Sequence, residues 1–205
     1  MATSDRRERQ KRELRERILD AARDLFVRDG YDAVSMKQIA DAIEYSQGTL
    51  YFYFRDKEAL FRELVGHDFR EHARAFQKIA SVADPLARLK KSAQVYADFA
   101  VAYPNHYRLL FMTAHGPGGK DDELETPEQN SFLFLRQTIA EAIKAGLLGP
   151  AFRDADTVAE ACWAAIHGVV ALHLTMPDRP GGKERPLPHQ VAFMSDLLVR
   201  GLSAR

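Results

Sequence analysis

The sequence predicts an all-α protein, with an N-terminal three-helix domain that contains a helix-turn-helix and a larger helical domain after it. Apolar residues recur at helical spacing through most of the 205 residues. Between residues 35 and 57, Ser35 and Ser46 each stand where a serine hydroxyl would cap a short helix. From residue 57 the pattern continues without a breaker to about residue 81, which predicts one long helix linking the two domains.

Composition narrows the class of protein. With 46% hydrophobic residues, the chain can bury one sizeable core or two small ones, and its formal net charge of zero lacks the overall basic signature of many nucleic-acid binders. Residues 1–17 nevertheless carry an excess of Lys and Arg over Asp and Glu, directly before the motif. Such a basic arm can neutralise phosphates. The alternative is a solvated helix start in which Arg and Glu pair at helical spacing.

Cysteine content and hydropathy bear on the compartment. Cys162 is the single cysteine, which excludes an internal disulfide and suits a reducing cytoplasm. We find neither an apolar run of the length that spans a bilayer nor a signal-peptide core after the charged N-terminus. We therefore expect a soluble, cytoplasmic protein that does not contact the membrane.

The first helix is predicted over residues 8–28, because an apolar stripe there matches the buried face of a three-helix domain and Gly30 supplies a left-handed cap. A second helix follows Ser35, with Ile39, Ala40 and Ile43 on its inner face. Ser46 caps the third, and Gly48 is expected to keep the crossing of the two helices thin. Two short helices across a tight turn form a helix-turn-helix, whose second helix lies in the major groove of DNA.

The recognition helix, residues 46–53, divides by chemistry. Leu50 and Phe54 are expected to face inward, whereas the sequence leaves open whether Phe52 faces solvent or packs. Gln47 and Thr49 suit base edges, since Gln can pair with adenine and Thr can meet a thymine methyl. Three hydroxyl side chains suit phosphate oxygens, which set register more than sequence: Ser46, Tyr51 and Tyr53.

A set of residues in the N-terminal quarter matches a known family in order and spacing: Gly30-Tyr31, Ser35, Ile39-Ala40, Ser46, Gly48, Leu50-Tyr51, Phe54 and Lys57-Glu58. On these residues, this part of the chain resembles the TetR family of transcriptional regulators. It implies that the positions of Ser35, Gly48 and Lys57 meet DNA together with the recognition-helix residues above. The chain departs from the family at Ser35 (usually Thr), at Ile43-Glu44-Tyr45 (usually Ala-Gly-Val) and at Tyr53 (often His). Glu44 tolerates a left-handed backbone poorly.

The rest of the chain predicts a helical second domain. We expect a DNA-binding domain over residues 1–57 and a ligand-binding and dimerisation domain over residues 58–205, joined by the helix over about 57–81. Further helices are predicted over about 85–102, 131–145, 154–175 and 189–203, with a mobile loop over 115–130 and a Pro/Gly-rich connector over 177–188. The last two helices suit a four-helix interface in a homodimer, although they could instead close the core of the monomer.

A pocket for a small apolar or aromatic effector is the second prediction for this domain. Trp163, His167 and Gly168 resemble the Trp…His-Gly signature of one TetR subgroup, and residues 106–111 look like the segment that precedes it. The candidate lining residues combine apolar bodies with a few polar handles. The alternative is a filled core with satisfied hydrogen bonds. The candidates are Tyr103, His106, Tyr107, Phe111, Trp163 and His167.

Enzyme, metal and cofactor chemistry find no support in the sequence. The motifs of serine hydrolases, P-loop proteins, zinc proteases and dinucleotide binders are missing. Cys162 and His167 project about 140° apart on a helix, and His67 and His72, five apart, are expected to be ordinary surface histidines rather than metal ligands. We therefore predict a regulator, with no cofactor, that represses from a palindromic double-stranded operator until an effector releases it. The alternative is a ligand-independent DNA-organising or protein-interaction module with a solid C-terminal core.

Overall fold

The computed structural model describes residues 2–113, 126, 128–178 and 185–204, with side chains from Asp5 onward. Secondary structure in these residues is helical, apart from one isolated bridge between Leu148 and Ser203. The predicted all-α fold is confirmed. The helices are α1 (Ala2–Asp29), α2 (Met36–Ala42), α3 (Gln47–Tyr53), α4 (Lys57–Gln77), α5 (Pro85–Ala102), α6 (Pro104–Phe111), α7 (Ser131–Lys144), α8 (Ala155–Thr175) and α9 (Leu187–Leu202).

The described residues fall into two compact units. Residues 2–68 and 103–113 form the first, and the second holds residues 69–102 with the described residues from 126 onward. Thus α4 begins in the first unit and its residues from 69 belong to the second, while α6 belongs to the first. The domain boundary at residue 57 stays a prediction, and the first compact unit extends beyond it along α4.

The first unit is built around the apolar stripe of α1. Ile18, Ala22 and Phe26 are buried there, as predicted. Phe26 meets Tyr31 and Phe61 with ring centroids 5.5 and 5.4 Å away, and the latter two rings lie 4.8 Å apart. Helix α1 begins at residue 2 rather than 8, because its charged first turns contain no breaker. Its end is as predicted, with Gly30 at φ +83°.

The second unit is a bundle in which α5 packs against α7 and α9, and α8 packs against α7 and α9. Asn130 and Asp154 cap α7 and α8 with their side chains, so both predicted starts are right. Helix α4 ends at residue 77, four residues before the predicted end, and α9 begins at residue 187, two residues before the predicted start. Most of the predicted loop over 115–130, and residues 179–184 of the connector, lie outside the described residues.

Helix α9 has two apolar faces, one turned into the second unit and one exposed. Its inward residues are Leu187, Val191, Ser195, Val199 and Leu202. Leu197 is 55% exposed, and Phe193 one turn earlier is 72% exposed. On α8, Leu172 is also exposed, and a Cβ built on Gly168 would meet nothing within 4 Å. The second unit therefore leaves an apolar surface on α8 and α9 uncovered.

Among the described helices, α8 is the one long and apolar enough to cross a membrane, with a mean hydropathy of 1.4 over its most apolar stretch. The sequence predicted this helix over 154–175, but not that it is long and apolar enough to span a bilayer. Length and composition are weak evidence, because the core helix of a soluble protein meets the same criterion. Residues along one side of α8, including Val158, Cys162 and Ile166, are buried against the rest of the second unit.

Candidate nucleic-acid interface

Both helices of the predicted helix-turn-helix start at a serine cap. The Ser35 hydroxyl accepts the Gln38 N–H at 3.2 Å, and the Gln38 amide oxygen accepts the Ser35 N–H at 2.8 Å, a reciprocal capping box. The Ser46 hydroxyl accepts the Thr49 N–H at 3.2 Å. Each cap satisfies helix N–H groups that have no partner within the helix, so these starts follow from local chemistry.

The turn between α2 and α3 places a glutamate in a glycine-like conformation. Glu44 has φ +61°, in the left-handed region where an L side chain costs about 1 kcal/mol. Its N–H donates to Asp41 O at 3.2 Å, so the turn is held by backbone bonds. Arg17 of α1 braces the same turn, donating to Ile43 O at 3.4 Å with its guanidinium 5.5 Å from the Tyr45 ring centroid. The turn forms in spite of the unusual residue.

Helix α3 is anchored at two points, as predicted. Leu50 is fully buried and is the one residue of α3 that counts as buried. Phe54 follows at the C-cap, buried, with its N–H donating to Leu50 O at 2.9 Å. The guanidinium of Arg15 lies 4.7 Å from the Phe54 ring centroid and pairs with Glu63 of α4. This side of α3 packs against the rest of the first unit, so the opposite side remains accessible to a binding partner.

The predicted polar contact residues lie on the accessible sides of α3. Gln47 and Tyr51 are exposed and share a 3.4 Å hydrogen bond from the Gln47 amide to the Tyr51 hydroxyl oxygen. Thr49 is half-buried, and its hydroxyl lies 2.9 Å from that of Ser46, which is itself exposed. Tyr53 is half-buried. The structure thus places these polar side chains together at one short helix. They share local hydrogen bonds that a DNA contact can replace.

The structural role predicted for Gly48 is wrong. A Cβ built on Gly48 would meet only the Ser46 hydroxyl oxygen, at 3.8 Å, which is ordinary van der Waals contact. Gly48 is exposed rather than placed where α2 crosses α3. A side chain would fit here in the free protein, so the glycine does not serve the packing of the two helices.

The structure gives the surroundings of Phe52, whose direction the sequence left open, and of Lys57, which was assigned to DNA by resemblance. Phe52 is 75% exposed, which settles the choice between solvent and packing in favour of solvent. Lys57, at the start of α4, donates from its ammonium to Tyr31 O and Val34 O, both at 2.9 Å. These bonds tie the loop before α2 to α4 and use two of the three ammonium hydrogens.

The N-terminal arm is helical and exposed from residue 5 to residue 13. Arg9 pairs with Glu13 one turn later at 3.6 Å, as the charge-paired alternative expects. Lys11 instead has its ammonium 5.8 Å from the Phe52 ring centroid, which brings a positive charge beside α3. The arm therefore combines internal ion pairing with a cation next to the recognition helix.

A buried ion pair that the sequence pattern did not reveal joins α1 to α4. Arg23 donates to both carboxylate oxygens of Asp68, at 2.7 and 2.8 Å, and both side chains are almost fully buried. Burial by itself would raise the pKa of Asp68, but the hydrogen bonds from His67 and Arg23 and the Arg23 charge outweigh it and lower the pKa overall. His106 of α6 lies 3.7 Å from the same carboxylate. Three helices of the first unit therefore converge on one buried charge.

Four of the six effector candidates lie in the first unit. Tyr103 caps α6 and is exposed, whereas Tyr107 is fully buried with its ring 5.2 Å from that of Phe111. His106 is half-buried, and burial is the main cause that lowers its pKa. Within the first unit, Tyr107 is thus part of the core, His106 lies beside the Asp68 carboxylate, and Tyr103 stands at the surface.

The other two candidates, Trp163 and His167, lie on α8 in the second unit. The Trp163 indole N–H donates to the Tyr96 hydroxyl oxygen at 3.2 Å, and the same hydroxyl lies 3.0 Å from His167 Nδ1. Burial lowers the pKa of His167, so the hydroxyl can donate to a neutral ring. The Tyr96 hydroxyl therefore satisfies the polar atoms of Trp163 and His167, as the filled-core alternative expects. The sequence did not identify Tyr96 as their partner.

His72 corrects the expectation of a surface histidine. It is buried among Phe76, Tyr96 and Phe99, with its Nδ1 2.7 Å from the Ser131 hydroxyl, and burial lowers its pKa to about 3. Among the residues that the structure describes, no group of three or more His, Cys, Asp or Glu side chains could hold a metal ion.

Comparison with known proteins agrees with this geometry. A family model described as "Bacterial regulatory proteins, tetR family" matches residues 18–64, and one described as "Tetracyclin repressor-like, C-terminal domain" matches residues 89–181. The HTH-type transcriptional repressor KstR of Mycobacterium tuberculosis is 37% identical over 90 residues, which are 43% of this chain and only 41% of KstR. The HTH-type transcriptional regulator TtgR of Pseudomonas putida is 25% identical over 174 residues, 81% of this chain and 82% of TtgR.

A solved structure has a similar fold. A protein of unknown function from Rhodococcus sp. RHA1 superposes with a TM-score of 0.73 at 27% identity, covering 93% of this chain and 95% of that one. Fold and site together define a DNA-binding transcriptional regulator built on a helix-turn-helix. The chain belongs to the TetR family of bacterial transcriptional regulators.

Proposed function

We propose that the protein is a homodimeric repressor that binds a palindromic double-stranded operator with one α3 in each of two successive major grooves. The observation that carries the proposal is the recognition helix, held by Leu50 on one side and presenting polar side chains on the others. Helix-turn-helix dimers read two half-sites about 34–36 Å apart. Occupying such a site at a promoter blocks transcription.

Each contact residue has a role in this proposal. Gln47 and Thr49 reach base edges, and Gly48 lets the backbone of α3 come close to the DNA. Phosphates are met by the third hydrogen of the Lys57 ammonium and by four hydroxyl side chains. Such contacts orient the protein on the duplex, while the base contacts provide sequence preference. The four hydroxyl residues are Ser35, Ser46, Tyr51 and Tyr53.

The dimer interface is the uncovered apolar surface of α8 and α9. Phe193 and Leu197 stand one turn apart on α9, and α8 presents Leu172 beside the open face of Gly168. Two copies of this helix pair would pack as a four-helix bundle, burying apolar surface that water otherwise contacts. This arrangement also accounts for the apolar composition of α8 in a cytoplasmic protein without a membrane contact.

Release by a small apolar or aromatic effector is the regulatory part of the proposal. The effector would act on candidate side chains and favour a state of α4 in which the helix-turn-helix no longer fits the operator. A few kcal/mol of differential affinity between two states is enough for such a switch. The candidates are Tyr103, His106, Tyr107, Phe111, Trp163 and His167.

The satisfied Trp163–Tyr96–His167 bonds favour a second candidate, a ligand-independent DNA-organising or protein-interaction module with a solid core. Neither candidate involves catalysis or a cofactor. Burial raises the pKa of the Cys162 thiol to about 11, so it is a poor nucleophile at neutral pH.

Operator binding is tested by selecting bound duplexes from a random DNA pool at fixed salt. We expect the parent protein to enrich a palindromic motif, because both recognition helices read the same half-site. Thr49→Ala should relax one base position by about tenfold, and Tyr51→Ala should weaken binding to all sequences. Arg153→Gln, an exposed change before α8, is the control. Weak binding that vanishes as salt rises, with no motif, would refute the proposal.

Effector binding is tested by thermal shift with a panel of apolar and aromatic compounds. A compound present at about a hundred times its Kd stabilises the native state by about 2.7 kcal/mol, which raises the midpoint by roughly 5–10 °C. The same compound should lower operator affinity of the parent, and Trp163→Ala should reduce both effects. If no compound shifts the midpoint, the ligand-independent module becomes the better description.

A further inference from the structure

We propose that Phe52 is a base-reading residue whose ring contacts the C5-methyl group of a thymine in each operator half-site. The inference rests on the operator binding proposed above and adds a specificity residue to it. It is carried by the outward face of α3, where an exposed aromatic ring stands next to a residue without a side chain.

The position of Phe52 follows from the anchor of the helix. Residues on an α-helix are about 100° apart, so Gly48 and Phe52, two residues either side of Leu50, both lie within about 20° of the direction opposite to it. Leu50 is fully buried and Phe52 is 75% exposed, which agrees with this geometry. When Leu50 faces the domain and α3 enters a groove, the centre of the face turned to the DNA consists of these two residues.

The two residues complement each other in shape. Helical side chains lean toward the preceding turn, so Phe52 leans toward Gly48, four residues earlier. A Cβ at Gly48 would find open space apart from the Ser46 hydroxyl oxygen at 3.8 Å. The packing of the free protein thus does not require a glycine at this position. Without a side chain at Gly48, the helix backbone can approach the base edges there, while the Phe52 ring projects beside it.

The chemistry of the ring selects its partner. A phenylalanine side chain has no hydrogen-bond donor or acceptor, so it cannot pair with the polar edges of the bases. The apolar group that the major groove presents is the thymine C5-methyl, and contact with it distinguishes thymine from cytosine. The hydroxyls and amide around Phe52, on Gln47, Tyr51 and Tyr53, suit the neighbouring polar groups.

The ring is also oriented before DNA arrives. Its edge contact with Tyr53 has centroids 5.5 Å apart at 80°, and the Lys11 ammonium lies 5.8 Å from its centroid. Lys11 is exposed on the N-terminal arm, where its charge can meet a phosphate beside the contacted base. The arm and the recognition helix therefore act on the same part of a half-site.

The test replaces each thymine of the selected operator by deoxyuridine, which removes the methyl group and keeps the base pair. For the parent, one position should lose about fourfold in affinity per half-site, and about fifteenfold when both half-sites are changed. Phe52→Ala should bind the thymine operator more weakly and lose its sensitivity at that position alone. Phe52→Leu should retain part of it, and Lys11→Gln should lower the salt dependence while retaining the methyl sensitivity.

Three results would overturn the inference. Equal deoxyuridine sensitivity of the parent and Phe52→Ala at every position would show that the ring meets no methyl group. Uniform weakening by Phe52→Ala, with an unchanged selected motif, would place the ring against deoxyribose instead. A parent that enriches no motif would refute operator binding itself, and the base contact with it. Because Phe52 is exposed, the alanine variant should keep the thermal midpoint of the parent, which checks that it folds.

Discussion

Asp68→Asn is expected to destabilise the protein by about 3 kcal/mol, because the Arg23 guanidinium loses its buried counter-charge and keeps only the ion pair to the exposed Asp20 carboxylate. Both side chains are nearly inaccessible to water, so solvent cannot replace the lost partner. For a chain of this size the thermal midpoint should fall by about 10 °C. The measurement is thermal and urea unfolding of the full chain, followed by circular dichroism.

The same pair predicts a pH dependence. The folded pKa of Asp68 lies below its unfolded value, so the stability that it contributes is present above the unfolded pKa and is lost as pH falls through the folded pKa. The parent should therefore keep this contribution at neutral pH and lose it only in strong acid. Asp68→Asn should lack that part of the acid transition.

Glu63→Gln is the matched control for this prediction. Arg15 and Glu63 also join α1 to α4, but both side chains are about one-third exposed. Partly exposed pairs contribute at most about 1 kcal/mol, so this variant should remain close to the parent. The double variant Arg23→Met with Asp68→Leu should recover most of the lost stability, since apolar residues of similar volume need no counter-charge. If Asp68→Asn unfolds like Glu63→Gln, the buried pair is not a major contributor.

The second large effect is expected from Leu197→Glu, which should convert the protein to a monomer and lower operator affinity by about a hundredfold or more. A carboxylate in an apolar interface is costly to bury, whereas the same side chain is exposed in the folded monomer. Loss of the dimer also removes the gain from binding two half-sites together. Light scattering after gel filtration gives the mass, and titration of the selected operator gives the affinity.

Val101→Glu is the control for Leu197→Glu. It introduces the same charge at an apolar residue of similar exposure, 57%, on α5 rather than on the surface of α8 and α9. This variant should remain dimeric and bind the operator as the parent does. A parent that is monomeric in solution, or a Leu197→Glu variant that stays dimeric, would show that this surface is not the interface.

The local parts of the fold were predictable because they depend on neighbours in the chain. The serine caps, the glycine stop after α1 and the limits of α7 and α8 each follow from hydrogen bonds or φ preferences within about four residues. The inward direction of Leu50 follows from helical period in the same way. The early end of α4 shows the limit of this reasoning, since no strong breaker stands there. The start of α9 was missed because Pro188 lies in the first turn of the helix, where a proline is tolerated.

Contacts between distant residues required the tertiary structure. Arg23 and Asp68 are 45 positions apart, and Tyr96 meets His167 across 71 positions. Each side chain alone reads as an ordinary surface or core residue, and nothing in its local pattern names the partner. The same reason explains why His72 was expected at the surface, whereas aromatic side chains from α4 and α5 surround it.

By itself, the sequence determined the helical class, the position of the helix-turn-helix and the family, because caps, turns and apolar spacing are local and regular. The tertiary structure decided which faces remain accessible. It turned Phe52, Phe193 and Leu197 toward solvent, buried Arg23 with Asp68, and showed that Gly48 does not serve helix packing. Exposure is a property of everything that packs around a residue, and that packing is settled only when all the helices are in place.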